Sequence, residues 1–280
     1  SLCDWSSDVC SPDLPASAPA STPDGAPPPR GGLSFEIRDA STGALMPGKL
    51  SFVGVNGTPL PQFTHRDVGL RLEGGIAAYN RVMSLSGEGR VDLPHGHYRV
   101  AVSRGPEWDT VVLPVVQVGA RGAVVKASLH HVVDTTGWIS ADFHVHSAAS
   151  PDSRVPLEDR VFEFASDGVD MIVSTDHNFV ADYRPVIAEV GAQGVLASMA
   201  GDEITTGLWG HFGAYPLTPD PEEAGQGAIA VRHRNIDQIF ADVHAASPAG
   251  TVQVNHPRLD AAIGYFSESD FDAEIGRAHV

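Results

Sequence analysis

The sequence predicts an α/β chain in which a small antiparallel β-sandwich precedes a domain built on a parallel sheet, open or closed. Three observations carry this expectation. Short alternating or β-branched runs separated by turn signals fill the chain from Leu33 to about Val133. After Trp138 the rhythm changes to strand, helix, strand, helix, which argues a parallel sheet. Every histidine with a metal-ligand context then falls near the C-terminal end of a predicted strand, where α/β enzymes place their chemistry.

The two ends of the chain are set aside first. Glu274-Ile275-Gly276-Arg277-Ala278-His279-Val280 can be written in codons whose reverse complement translates as Asp-Val-Cys-Ser-Ser-Asp-Leu. Asp8 to Leu14 match that string at every position except Pro12. Residues 1–14 and 274–280 therefore read as one library adapter in opposite directions, and they are excluded from fold reasoning. Both cysteines, Cys3 and Cys10, lie in the excluded part, so 15–273 offers neither a disulfide nor a thiolate nucleophile. On this reading the natural N-terminus is missing, a signal peptide or lipid anchor could have preceded Pro15, and the last domain stops short.

Residues 15–32 are Pro, Ala, Ser and Gly with almost no large apolar side chain, too little to offset chain entropy by burial, and read as a linker. Such a segment hints at an exported or cell-envelope protein. Residues 33–135 form the expected β-sandwich, with strands at Leu33–Ile37, Lys49–Val53, Gly89–Leu93, Tyr98–Val102, Thr110–Leu113 and Ala123–Ala127. Nothing in it suggests catalysis. Residues 136–273 form the second domain. Ile139–Val145 is a predicted strand, Pro156–Ser166 a helix with Leu157, Val161, Phe164 and Ala165 on one face, and Val169–Ser174 a strand. A helix over Tyr183–Val190 follows, then a strand from Val195 into Gly201-Asp202-Glu203, another over His211–Tyr215, a helix N-capped by Asn235, and a strand Thr251–Val254.

Composition narrows the partners. At 42% hydrophobic residues the chain can bury real cores, and no apolar run approaches the ~20 residues of a membrane span. The net charge is −17 and the only lysines are Lys49 and Lys126. An acidic surface repels phosphate backbones, so nucleic acid is not an expected partner, and a polymerase-type proofreading nuclease is disfavoured. Bound cations would still make a site locally positive, so a small-molecule substrate, even an anionic one, fits.

Five motifs follow one another: Asp142-Phe143-His144-Val145-His146, Thr175-Asp176-His177-Asn178, Gly201-Asp202-Glu203, Gly210-His211 and Asn255-His256-Pro257-Arg258. A His-x-His pair on a strand points both imidazoles to one face, because strand side chains alternate. Two such nitrogens suit zinc, manganese or iron, and each later motif adds a nitrogen or carboxylate at its own strand end. Singly, each histidine is more often solvated than ligating; together they argue for a metal site. Asp142 and Asp176 are candidates to orient imidazoles, with ordinary turn roles as the competing reading. Arg258 is a candidate for an anionic substrate oxygen, with a surface salt bridge as its alternative. Asn178 is expected to cap the following helix. His65, His95, His97, His130 and His131 are expected to be structural, His233 exposed, and His244 packed on the apolar face of its helix.

These motifs resemble those of the PHP domain, the metal-dependent hydrolase domain of polymerase-associated and histidinol-phosphate phosphatases, from Trp138 to Phe271. More narrowly the chain is similar to the CehA/McbA group, whose members often carry an N-terminal β-domain. The resemblance implies a PHP-type (β/α) barrel, incomplete at its C-terminus. It implies that His144, His146 and Glu203 serve one metal, and that Glu203 bridges to a second held by His211 and His256. A third position would use His177 with Asp152, where the family often has histidine. The family's closing Asp-x-His motif has no counterpart after Asn255. Two or three divalent ions (Zn, Mn or Fe) would activate water and polarise the electrophile. The implied activity is hydrolysis of a phosphate ester or of a carboxyl or carbamate ester, with Glu203 and Arg258 as the catalytic candidates. The alternative is a PHP-fold binding or regulatory module that keeps metal and is catalytically silent.

Overall fold

The structure, a computed structural model, describes residues 27–64, 67–259 and 264–265. The two adapter-like ends, most of the Pro/Ala-rich linker, His65 and the expected end of the second domain lie outside the described residues. The chain divides into two compact units, the first comprising the residues up to Ser140 with Glu158–Asp170 and Gly194–Leu196, the second the remainder.

The first unit contains β1 (Arg30–Asp39), β2 (Gly48–Val55), β3 (Leu70–Leu72), β4 (Gly75–Ala78), β5 (Arg81–Ser84), β6 (Glu88–Pro94), β7 (Gly96–Ser103), β8 (Val111–Val118) and β9 (Ala123–Leu129). They form two sheets, in the orders β6-β1-β9 and β3-β4-β5-β2-β7-β8. Strand alternation explains the core: Leu33, Phe35 and Ile37 of β1 are buried while Ser34, Glu36 and Arg38 between them are partly open. Phe52, Tyr98, Val100, Val116 and Leu129 join the same apolar cluster. Tyr98 keeps its hydroxyl satisfied by donating to the Pro94 carbonyl at 2.8 Å. Two features depart from the expected antiparallel arrangement. β1 pairs with β9 in parallel, and β3 to β5 were not anticipated, being only three or four residues long and therefore too short to show periodicity. Helix α1 (Leu157–Ser166) also belongs to this unit apart from its first residue. Its buried Asp159 accepts from the Gly69 backbone at 2.6 Å and from Arg71 at 3.1 Å.

The second unit holds β10 (Ala141–Val145), β11 (Met171–Ser174) and β12 (Ala197–Ala200) in one parallel sheet, and β13 (Asp202–Thr205), β14 (His211–Tyr215) and β15 (Thr251–Val254) in one antiparallel sheet. The expected (β/α) barrel is overturned by this topology: among the described residues there are two three-stranded sheets and no closed barrel. The physical reason lies at two places. The single strand expected from Val195 to Glu203 breaks at Gly201, where a Cβ would meet the Ala214 carbonyl oxygen at 2.7 Å. The chain then returns through residues 206–210 with no helix, and a connection that short can only join antiparallel strands.

Helix α2 is Arg184–Glu189, shorter than expected at both ends. Helix α3 (Ile236–Ala246) begins with a capping box, Asn235 accepting from Gln238 N at 2.9 Å while the Gln238 side chain accepts from Asn235 N at 3.0 Å. Ile239 and Val243 of α3 pack with Ile204, Phe212 and Ala214. His244 is exposed, not packed as expected, because eight residues advance a helix about 80° beyond a whole number of turns from Ile236. No helix among the described residues is long and apolar enough to cross a membrane.

Candidate metal centre

Strand ends bring the motifs together within the second unit. β10 carries His144 and its extension carries His146, two residues apart and on one face. The turn after β11 carries His177, joined to Glu203 of β13 by an isolated parallel bridge in which Glu203 N donates to Asp176 O and Asn178 N donates to Glu203 O. His211 opens β14, and its carbonyl accepts from Asn255 N at 3.0 Å, which ties the turn carrying His256 to the same point.

Glu203, 1% exposed, is the hub. Its Oε2 lies 3.2 Å from His144 Nε2, 3.0 Å from His146 Nε2 and 3.2 Å from His177 Nδ1. Its Oε1 lies 3.2 Å from His211 Nδ1 and 3.2 Å from His256 Nε2. Asp152 makes a second, more open pole, 3.0 Å from His146 Nδ1 and 3.3 Å from His177 Nε2. Three triads have all their donor atoms within 4.8 Å of one another: His144, His146 and Glu203; His146, Asp152 and His177; His177, Glu203 and His211. Arg258 is exposed in the turn following His256.

The charges answer to burial and to one another. Burial opposes ionisation of Glu203, but the close imidazoles of His144, His146, His211 and His256 outweigh it and hold the carboxyl far below the usual range. Burial also opposes protonation of His146, yet Glu203 and Asp152 raise its pKa on balance. At His177 burial dominates and the pKa falls. Burial opposes the Asp152 charge too, but Ser150, His146 and His177 lower its pKa. Asp202, beside the hub and facing away from it along the strand, is pushed up to about 7 by burial, against hydrogen bonds from the Ile229, Phe179 and Asn178 backbone.

The donor set fits divalent cations. Glu203 Oε2 is buried and makes no hydrogen bond, although His144 Nε2 and His146 Nε2 stand within 3.2 Å of it. Neutral imidazoles carrying hydrogen on their other nitrogen would turn these two lone pairs toward one ion beside that oxygen. Nitrogen and carboxylate donors with no sulfur suit zinc, manganese or iron.

Neighbouring side chains hold this arrangement, and several were not anticipated. Asp142 accepts from the His144 backbone at 2.9 Å, and Asp176 accepts from Ser147 N at 2.6 Å and Ser147 Oγ at 2.9 Å. Both therefore brace the loop around the histidines instead of their rings. Asn178, in the left-handed region at φ 51°, is not a helix cap: its Oδ1 accepts from Thr205 N at 3.0 Å and its Nδ2 donates to Thr205 O at 3.4 Å. The groups that do touch imidazole nitrogens or the hub are Ser150, Thr205 and Asn255, the last donating to Glu203 Oε1 at 3.0 Å while accepting from Gln253. Thr205 was findable, since it lies two residues after Glu203 and so shares its face. Ser150 sits in a loop whose shape no periodicity encodes.

No protein-family model and no curated protein matches the chain. Among solved structures it is similar to the group B streptococcus pilus 2b backbone protein, at TM-score 0.26 and 13% identity over 38% of this chain and 43% of that one. It is also similar to the Bacillus anthracis TIE protein, at TM-score 0.24 and 13% identity over 36% of this chain and 17% of that one. The chain thus spans less than half the length of either.

Proposed function

We propose that the second unit is a metal-dependent hydrolase, related in its motifs to the CehA/McbA group of PHP proteins, that acts on a phosphate ester or on a carboxyl or carbamate ester of a small molecule. The observation that carries this reading is the convergence of five imidazoles on the two oxygens of one buried carboxylate. Two or three divalent ions held there would supply Lewis acidity and make water acidic enough to attack at neutral pH. Glu203 divides its oxygens between two positions, Oε2 with His144 and His146, Oε1 with His211 and His256. Asn255 fixes the rotation of that carboxylate through Oε1. Arg258, exposed beside His256, is the group assigned to an anionic oxygen of the substrate. The compartment that goes with this reading is outside the cytoplasm or at the envelope, supported by the Pro/Ala-rich segment.

Metal content by mass spectrometry tests the first half, comparing the full chain with a His144→Ala/His146→Ala variant after dialysis against a weak chelator. Bound zinc, manganese or iron that falls in the variant supports the centre; equal content in both sinks it. The loaded chain is then offered p-nitrophenyl phosphate, p-nitrophenyl acetate and an aryl carbamate. Release of nitrophenol from none of the three, with metal bound, turns the reading towards a silent binding module.

A further inference from the structure

Two hydroxyls stand beside the ligand imidazoles, and the direction of each hydroxyl's single proton decides which ring nitrogen is left to bind. Thr205 Oγ1 donates to the Glu203 carbonyl oxygen at 3.1 Å and lies 2.5 Å from His177 Nδ1. A carbonyl oxygen only accepts. Both contacts therefore hold together only when His177 Nδ1 carries hydrogen and the threonine oxygen accepts it. The lone pair of the neutral ring then sits on Nε2, which faces Asp152 Oδ2 at 3.3 Å, and not on Nδ1, which faces Glu203 Oε2 at 3.2 Å.

We propose that Thr205 is a positioning residue that fixes His177 as its Nδ1–H tautomer and thereby assigns Nε2 to a metal position shared with Asp152, apart from the two positions on Glu203. This rests on the metal reading above and resolves an ambiguity in it, because His177 belongs to two of the three triads. The threonine is well placed for the task. Asn178 grips its backbone on both sides, and its side chain shares a strand face with Glu203. Ser150 obeys the same rule at the neighbouring ring: its hydroxyl donates to Asp152 Oδ1 at 2.7 Å, so its oxygen accepts from His146 Nδ1 at 3.0 Å. That leaves His146 Nε2 for Glu203 Oε2 at 3.0 Å. Ligand histidines commonly donate the other ring N–H to a fixed acceptor in this way. Among the described residues the third position has two protein ligands, one of them Asp152 with its side chain 55% exposed, so it is expected to fill last and empty first.

The experiment is long-range proton–nitrogen correlation on the metal-free, nitrogen-15-labelled full chain at pH 8, with His177→Gln locating the signals, followed by metal equivalents bound on titration with manganese. His177 in the unaltered chain and in Thr205→Ser should show protonated Nδ1. Thr205→Val should lose that uniform state and bind one equivalent fewer. Protonated Nε2 in the unaltered chain, an unchanged tautomer in Thr205→Val, or a changed tautomer with all equivalents kept overturns the proposal. If Thr205→Val does not fold, the tautomer of the unaltered chain and of Thr205→Ser decides alone. The tautomer is read without metal or substrate, so failure of the hydrolase reading leaves this result standing, and failure here leaves the hydrolase reading intact.

Discussion

The two units are built on opposite materials. In the first, the buried set is mainly apolar, with Phe52, Leu33, Ile37, Leu50 and Leu129 essentially closed to solvent and satisfied by packing, while Tyr98, Asp159 and Arg160 each keep a hydrogen-bond partner. In the second, the interior also takes in Asp176, Asp202, Glu203, His211 and Asn255, none of which packing can satisfy. Burying such groups is costly unless each finds a partner, so an interior that keeps them does so under chemical constraint. The contrast is one of energetics: the first unit is stable mainly because of what it hides, the second is arranged around what it must balance.

The sharpest separation comes from a core truncation. Phe52→Ala, which removes a fully buried ring in edge contact with Tyr98 and Phe63, should cost ~3–5 kcal/mol in denaturant unfolding of the first unit. Metal content should stay unchanged, and a parallel loss of metal would break the comparison. Glu203→Gln is the converse test. With the hub carboxylate gone, metal affinity should fall by more than the ~10–100-fold typical of an outer partner, measured by competition with a chelator.

Titration separates the units next. The Asp202 pKa is raised to about 7, so between about 4 and 7 the folded state holds a proton that the unfolded chain has released. Folding stability of the metal-free second unit should therefore decline as pH rises through that window. Asp202→Asn should flatten the slope; the same slope in the variant assigns it elsewhere. His146, whose pKa is raised, contributes with the same sign, its stabilisation present in acid and lost as pH rises through its folded value. Glu203, whose pKa is lowered, contributes above the ordinary carboxylate value near ~4.3 and loses that only in stronger acid. The smallest effect belongs to Asn235→Ala, which removes a capping box and should cost about 1 kcal/mol, visible as faster hydrogen exchange at the start of α3.

Legibility in the sequence followed the same division. Six of the nine strands in the first unit announce themselves by alternation, and the three missed ones have too few residues to alternate. His144 and His146 were legible because period-two spacing is a local property, and His177 and His256 because each follows the end of a strand; Glu203 and His211 instead stand near the starts of β13 and β14, not at the C-terminal strand ends expected. The connection pattern was not. Reading Val195 to Glu203 as one strand hides the break at Gly201, which exists because the Ala214 backbone comes close there, a contact with no trace in the local sequence. The same holds for Asn178, whose clamp on Thr205 depends on a partner strand, while its left-handed backbone is a conformation asparagine tolerates in turns as readily as near helices. Hydroxyl partners such as Ser150 are invisible for want of any spacing rule.

The distance along the chain between the donors has a kinetic meaning. His144 opens the second unit and His256 nearly ends its described part, yet their rings lie 6.1 Å apart. A zinc finger gathers ligands within a short loop, so its ion can nucleate the fold. Here loop-closure entropy keeps the donors apart until both sheets have formed, and chains dominated by such distant pairings fold slowly. An ion bound there would meet a finished pocket: a chelator present throughout refolding should leave the folding rate unchanged and lower only the stability of the product.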